Sequence, residues 1–564
     1  MKKLLLFFLF PAAVVMGQNQ FSEVSVSAGI DKTGSNYGVA IADFDQDGWE
    51  DIFVARTQDE NILYHNNGDG TFVNIATQSG LNFFSESRVA ASGDFNNDGW
   101  PDLFIGSRAG IRDRMLINRQ DGTFQDVSIL ARTISSIRGN AMAVLLADVD
   151  NDSFLDIYVT RMNAQNTLYR NRGDLTLEDI TYASGATDTL VAMGGIFFDY
   201  DQDRDQDLYL VHDNYQGNIL YRNNGDLTFT DVSGESETDY EGFGMGVDAG
   251  DVNNDGWMDL YITNLYNNVL FLNNGDGTFA NITRDAGTGD YGMGWGTFFF
   301  DTDNDGWQDI YVANTPYPNV LYRNQGDLTF LSIGKETVLA SAANSYGAVP
   351  LDYDRDGLTD IFITNGFGAT GNQLFHNENN PTNHWVKFSL EGTTSNRTAV
   401  GARVEVFAAG NRRVDEIHSG SGYVSQNSLI AHFGLGESEF VDSVIVFWPG
   451  GSAQTYKNLS ANRTHILRQG NTIGSDLVEG KRLMAVPNPF YDQMSVYFSL
   501  TTPTTFTLQI TDLAGRRVYF FNGAGVQAGL HEVPIPTETL LPSFYICTLI
   551  TPEETRQIKI CKRN

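Results

Sequence analysis

The sequence predicts an all-β chain of 564 residues whose larger part is a seven-bladed β-propeller. Three observations carry that reading. First, the pattern DFDQDGWEDIFVA from Asp43 returns as DFNNDGWPDLFIG from Asp94, DVDNDSFLDIYVT from Asp148, DYDQDRDQDLYLV from Asp199, DVNNDGWMDLYIT from Asp251, DTDNDGWQDIYVA from Asp301 and DYDRDGLTDIFIT from Asp352. The starts lie 50 to 54 residues apart, and a fixed period of that length marks stacked supersecondary units. Second, each copy holds four strand-like runs. In the first copy they are GVAIADF (38–44), DIFVA (51–55), NILYHN (61–66) and TFVNIA (71–76), with Asn, Gly and Asp between the last two as in antiparallel hairpins. Four-stranded antiparallel units in such an array make a propeller. Third, the seventh copy stops after NQLFHNEN (372–379) without a fourth run, while FSEVSVSAGI (21–30) resembles that run and has no unit before it. The N-terminal segment is therefore expected to complete the last blade and remove the open edges.

The repeated loop has its own chemistry. Oxygen side chains at positions 1, 3, 5 and 9 of a tight loop converge on a point the size of a hard cation, and position 7 can add its carbonyl. These positions are Asp43, Asp45, Asp47 and Asp51 in the first loop, Asp94, Asn96, Asp98 and Asp102 in the second, and Asp148, Asp150, Asp152 and Asp156 in the third. They are Asp199, Asp201, Asp203 and Asp207 in the fourth, Asp251, Asn253, Asp255 and Asp259 in the fifth, Asp301, Asp303, Asp305 and Asp309 in the sixth, and Asp352, Asp354, Asp356 and Asp360 in the seventh. Without a cation such carboxylates repel one another. Glycine at position 6, as at Gly48 and Gly99, permits the positive φ of the turn, and Ser153 and Arg204 break that pattern in loops three and four. An EF-hand is excluded: it needs Glu at position 12 and flanking helices, whereas position 12 is apolar in every copy, from Val54 to Ile363, and a strand-like run follows.

In chain order, residues 1–17 carry two lysines, an apolar run and small residues before a cut after Gly17, the form of a secretory signal peptide. The propeller is assigned to 18–380. A β domain (381–469) follows, with strand-like runs WVKFSLEG, ARVEVFAAG and DSVIVFWPGG, then a linker (470–481) and a last β unit (482–564). The net charge of −34 argues against nucleic acid as a partner, since phosphate binding needs clustered Lys and Arg. Asp at positions 1, 3, 5 and 9 of the seven loops accounts for 26 of the 70 acidic residues, and seven divalent ions would bring −34 to −20.

The motif YGVAIADFDQDGWEDIFVA resembles the FG-GAP (VCBS-type) repeat of integrin α-subunit propellers and of bacterial secreted proteins. The resemblance implies up to seven Ca²⁺ ions on the loop residues named above, with the loops at Asp148 and Asp199 departing from the family pattern at Ser153 and Arg204. The run SGSGYVSQNSLIAHFGLGESEFVDSVIVFWPGG (419–451) is similar to the ASPIC/UnbV domain that follows such propellers in cartilage acidic protein-like sequences. From PNPF (487–490) through TLQITDLAGRRVY to QIKICKRN, the last unit resembles the type A C-terminal sorting domain of the type IX secretion system of Bacteroidetes, a small Ig-like β-sandwich. With the signal peptide, this implies Sec export followed by type IX secretion, and a protein that is released or attached at the outer-membrane surface, with no transmembrane segment in the mature chain. Cys547 and Cys561 flank a turn in this unit, where a disulfide and two free thiols are equally expected.

No HExxH, GxSxG, Walker or dinucleotide motif occurs, so no catalytic residue or organic cofactor is expected. His432 and Trp448 read as core or turn residues. A polar set to inspect for chemistry is Arg108, Arg112, Asp113 and His212. The loops opposite the acidic ones differ from copy to copy, as a binding surface does, and carry Phe83, Phe84, Tyr215, Tyr240, Tyr266, Tyr291, Tyr317 and Phe367. The expected function is non-catalytic adhesion to, or binding of, an extracellular protein or glycan. The alternative is an extracellular polysaccharide lyase or hydrolase using that same face.

Overall fold

The computed structural model describes residues 21–133, 139–333, 337–379, 382–470 and most of 483–563. The expected signal peptide 1–17, all of the linker beyond Gly470, and Pro487–Pro489 of the PNPF motif lie outside the described residues. The chain is all-β, and its repeat region fits a β-propeller.

Each copy folds as an antiparallel meander. In the first, Asn36–Ala42 pairs with Asp51–Glu60, which pairs with Ile62–Asn66, which pairs with Phe72–Asn74. The first strands are buried along most of their length, because each lies between two neighbouring units. They touch in sequence, Asn36–Ala42 against Phe84–Gly93, then Asn140–Ala147, Ala192–Phe198, Gly244–Gly250, Gly294–Phe300 and Ser345–Leu351, which returns to Asn36–Ala42. The last unit borrows its outer strand from the start of the chain, as expected: Phe21 pairs with Asn377 and Glu23 with Phe375.

The fourth run is shorter than expected. Only Phe72–Asn74 is strand; Ala76–Ser79 is a helical turn ending on Gly80 at φ 75°. The Asn74 carboxamide accepts the Ala76 amide and so starts the turn, and Asp126, Asp179 and Asn281 do the same in other copies.

Beyond the repeats, His384–Glu391, Ala431–Gly436 and Thr464–Arg468 form one sheet, and Arg403–Ala408, Asn411–Glu416, Phe440–Phe447 and Ala453–Ser460 another. Trp448 is buried between them and the repeat region, in a hydrophobic core continuous with that of the second and third copies. The last unit has a three-stranded and a four-stranded sheet around Phe490, Val496, Phe498, Leu508, Cys547 and Leu549.

Both cysteines are free thiols. Their strands do pair as a hairpin, but Cys547 stands opposite Ile558 and Cys561 opposite Phe544. The offset of three residues puts the two side chains on opposite faces of the sheet, which rules out the disulfide.

Candidate metal centre

Seven acidic loops join first and second strands, so all lie at one end of the repeat region. The loop backbone wraps around position 1: in the first copy the Asp47 and Gly48 amides donate to the two carboxylate oxygens of Asp43, at 3.1 and 2.8 Å. Position 9 lies deeper and ties the loop to the strands. Asp51 accepts the Phe44 amide on one oxygen and the Asn66 amide on the other. Gly48 adopts φ 95° at position 6, and Ser153 and Arg204 adopt the same left-handed backbone, at φ 77° and 78°. Loops three and four thus keep their shape, with the Ser153 and Arg204 amides on Asp148 and Asp199. The Arg204 guanidinium turns out of its loop, over the Phe447 ring and onto the Gly451 carbonyl.

Burial, with repulsion from neighbouring carboxylates, raises several of the position 1 carboxyls. Burial, then the neighbouring Asp47 and Asp51, pushes Asp43 up to about 8. Burial likewise raises Asp148 and Asp251 to about 7 and Asp94 to about 6. One oxygen of Asp199 and one of Asp352 are buried with no hydrogen-bond partner. Oxygens of Asp199, Asp201, Asp203 and Asp207 lie within 4.8 Å of one another, as do ligand atoms of Asp43, Asp45 and Asp47 and of Asp148, Asp150 and Asp156. Such all-oxygen sets suit a hard divalent cation. In the first and last copies an imidazole joins the acids: His65 reaches Asp51 at 3.2 Å and His376 reaches Asp360 at 3.1 Å, and these bonds raise both histidines to about 9.

Two sets of residues that pattern reading passed over bind the copies together. At position 4, always in the left-handed region, Gln46, Asn97, Gln202, Asn254 and Asn304 each donate to the position 6 carbonyl of the next loop. At the end of each third strand an asparagine donates to the position 2 carbonyl of the preceding copy. Asn118 reaches Phe44, Asn171 reaches Phe95, and so on round to Asn66, which reaches Tyr353 of the last copy. The signal was present in the sequence as an Asn 14 to 17 residues after every position 9.

The face bearing the loops is covered. Lys387 pairs with Asp352, Arg403 donates to the Gly256 carbonyl, Arg412 to the Asp255 carbonyl, and Asn383 to the Asp303 carbonyl. His432 is half-buried, with one ring nitrogen 2.8 Å from the Asn304 carboxamide. From this covering unit the segment Ser419–Gln426 enters the repeat region between the first strands. Gly422 exchanges two backbone bonds with Val247, Ser419 accepts the Leu146 amide, and Val424 accepts the Val39 amide. A Cβ on Gly246 would meet the Gly422 carbonyl at 2.8 Å, which accounts for the glycine at that position. Tyr423 at the tip is fully buried against the rings of Trp295 and Tyr346.

On the opposite face, Phe84, Tyr215, Tyr266, Tyr291, Tyr317 and Phe367 are exposed, while Phe83 and Tyr240 pack partly into the core. The four polar residues inspected for chemistry do not come together. Asp113 is buried in an ion pair with Arg161, His212 lies 2.9 Å from Asp188, Arg108 pairs with Glu86, and Arg112 donates to the Thr133 carbonyl.

The repeat region matches a family described as FG-GAP-like repeat over residues 43–105, 94–159, 148–210, 199–262, 251–312 and 301–363, and residues 392–474 match one described as ASPIC and UnbV. Human cartilage acidic protein 1 is 29% identical over 221 residues, covering 36% of this chain and 33% of that protein. Chicken integrin alpha-V is 30% identical over 159 residues, covering 25% of this chain and 15% of that protein. The matched stretch thus spans a third or less of the length of these relatives. Among solved structures, a lectin of Agrocybe aegerita that recognises non-reducing terminal N-acetylglucosamine aligns over 61% of this chain and 88% of its own, at 18% identity and a TM-score of 0.35.

Proposed function

The chain belongs to the FG-GAP-like repeat family, which matches its residues 43 to 363, and on that premise we propose that it is a calcium-stabilised, non-catalytic binding or adhesion protein. The observation that carries the reading is the ring of buried carboxyls on one face, several held between about 6 and 8, with orphaned oxygens on Asp199 and Asp352. A divalent ion in each loop would supply the missing positive charge, held by positions 1, 3, 5 and 9 and the position 7 carbonyl. All seven loops are proposed as sites, including loops three and four, because Arg204 points its charge away from Asp199.

In this reading the seven units form one seven-bladed propeller. The last unit is an Ig-like sorting domain read by the type IX machinery after Sec export, and the mature chain works outside the cell or at its surface. The partner, an extracellular glycan or protein, meets the loops opposite the metal. Non-catalysis is supported by the separate structural partners of Asp113, His212, Arg108 and Arg112.

The test is the metal content of the purified protein together with thermal unfolding in calcium and in EDTA. About seven calcium ions per chain and a large loss of stability in EDTA are expected, since a ligand at 100 times its Kd adds about 2.7 kcal/mol per site. Five ions would empty loops three and four. No bound metal and no shift would remove the basis of the assignment.

A further inference from the structure

One patch on the face opposite the metal loops brings two exposed aromatic rings together around a third. The Phe243 ring lies 4.3 Å from that of Tyr215 and 5.9 Å from that of Tyr266, both edge-on. Tyr215 and Tyr266 are 66% and 56% exposed. Both are held out by backbone that aromatic residues seldom adopt, at φ 57° and 139°. Strain of this kind is kept where the surrounding structure enforces it, and it gathers at ligand sites.

Asn264, two residues before Tyr266, is 3% exposed, and its carboxamide has no partner on either atom among the described residues. In two other copies the equivalent side chain is met from a residue 24 positions earlier: His212 by Asp188 and Asn314 by Asp290. In this copy that earlier residue is Tyr240, which offers no carboxylate. The Asn264 Oδ1 lies beside Gly242, where a Cβ would come within 2.6 Å of it. A buried donor and acceptor left unmade are costly unless a ligand completes them.

We propose that Tyr215, Phe243, Tyr266 and Asn264 form a binding site for a neutral saccharide. This rests on the reading above that the loops opposite the metal carry the partner site. Sugar rings present a C–H face that stacks on aromatic rings and a hydroxyl edge that pairs with a carboxamide. An anionic glycan is disfavoured, because the surrounding loops carry Asp213, Asp239 and Glu241 and no Lys or Arg at 213–217, 239–243 or 264–268. A peptide adding as a strand is disfavoured too. The local edge is already paired, Gln216 with Gly242 and Gly217 with Glu241, and the Tyr215 amide donates to Gly242.

The test is affinity electrophoresis of the full chain in gels containing galactomannan, xyloglucan or laminarin, with polygalacturonate as the anionic comparison. At least one neutral polysaccharide should retard the protein. Tyr215→Ala and Tyr266→Ala should each weaken retardation by about tenfold, as loss of an aromatic anchor does, with Tyr182→Ala, at an exposed tyrosine on the helical turn Thr181–Ser184, unchanged. Asn264→Leu should abolish retardation while leaving thermal stability equal or higher, because it removes an unpaired buried amide; a merely structural Asn264 would move both downward. Retardation by polygalacturonate alone, retardation that survives all three substitutions, capture of a protein ligand only, or no retardation at all overturns the saccharide site. None of these outcomes touches the calcium reading, which the metal content decides separately.

Discussion

Stripped of metal, the folded chain is expected to lose stability as pH rises from about 5 to 8, the reverse of ordinary acid denaturation. In the unfolded chain an aspartate titrates near 3.8, whereas burial holds Asp43 at about 8, Asp148 and Asp251 at about 7 and Asp94 at about 6 in the fold. Between those limits the folded state binds more protons than the unfolded one, so unfolding free energy falls with rising pH. The cost is absent below the unfolded value and complete above the folded one. For Asp43 alone it reaches roughly 5 kcal/mol at pH 8, against a typical domain stability of about 5–15 kcal/mol. His65 and His376, raised to about 9 by Asp51 and Asp360, act in the same direction, stabilising below 6.5 and ceasing to do so as pH passes 9. Two half-buried histidines oppose: His418, pushed down to about 4 by desolvation, and His432, also lowered, each cost at most about 2 kcal/mol at pH 5. The carboxyls outnumber them. Calorimetry of chelator-treated protein at pH 5, 6, 7 and 8 should show Tm falling by about 10 °C or more, and millimolar calcium should flatten or invert the trend. A metal-free Tm that is constant or rises over that range would refute the reasoning.

Three further outcomes follow from single contacts. Arg161→Met strands the buried carboxylate of Asp113 and should cost about 3–5 kcal/mol by denaturant unfolding, with Asp113→Leu added to it restoring part of the loss. Tyr423→Ala empties the space between Trp295 and Tyr346; it should cost about 3–5 kcal/mol and speed proteolysis between the repeat region and the covering unit. Intact mass should not change on reduction. Native protein should take one thiol label, at Cys561, because Cys547 is buried and its thiol is pushed up to about 12.

What could be read from the sequence is what repeats. The acidic positions, the hairpins and the returning N-terminal strand each follow from local spacing, so the pairing of Phe21 with Asn377 was legible 356 residues apart. The asparagine at the end of each third strand also repeats, but its bond runs to a neighbouring copy, and a pattern scored within one copy hides it. The covering unit leaves no such trace. Lys387 with Asp352, Gln426 with Ser92 and His432 with Asn304 are single contacts between unlike segments, made by residues common on any surface. The cysteines illustrate the same limit at short range: spacing showed the hairpin, but a register offset decided which face each thiol occupies.

The covering unit changes where function can sit. Charge on the acidic face is met twice, by whatever ion the loops hold inside and by Lys387, Arg403 and Arg412 outside. Because Arg403 and Arg412 grip loop carbonyls, and not the carboxylates, they leave the position 1 oxygens available to metal and read the loop's shape. An emptied loop in which carboxylates repel would move those carbonyls, so metal in the loops and seating of the covering unit stabilise one another by linkage. A partner approaching from this side would have to displace the unit and withdraw Ser419–Gln426 from between the inner strands. The opposite face asks for no such rearrangement: its exposed aromatics are already presented, on loops that vary while the frame of repeated strands beneath them does not.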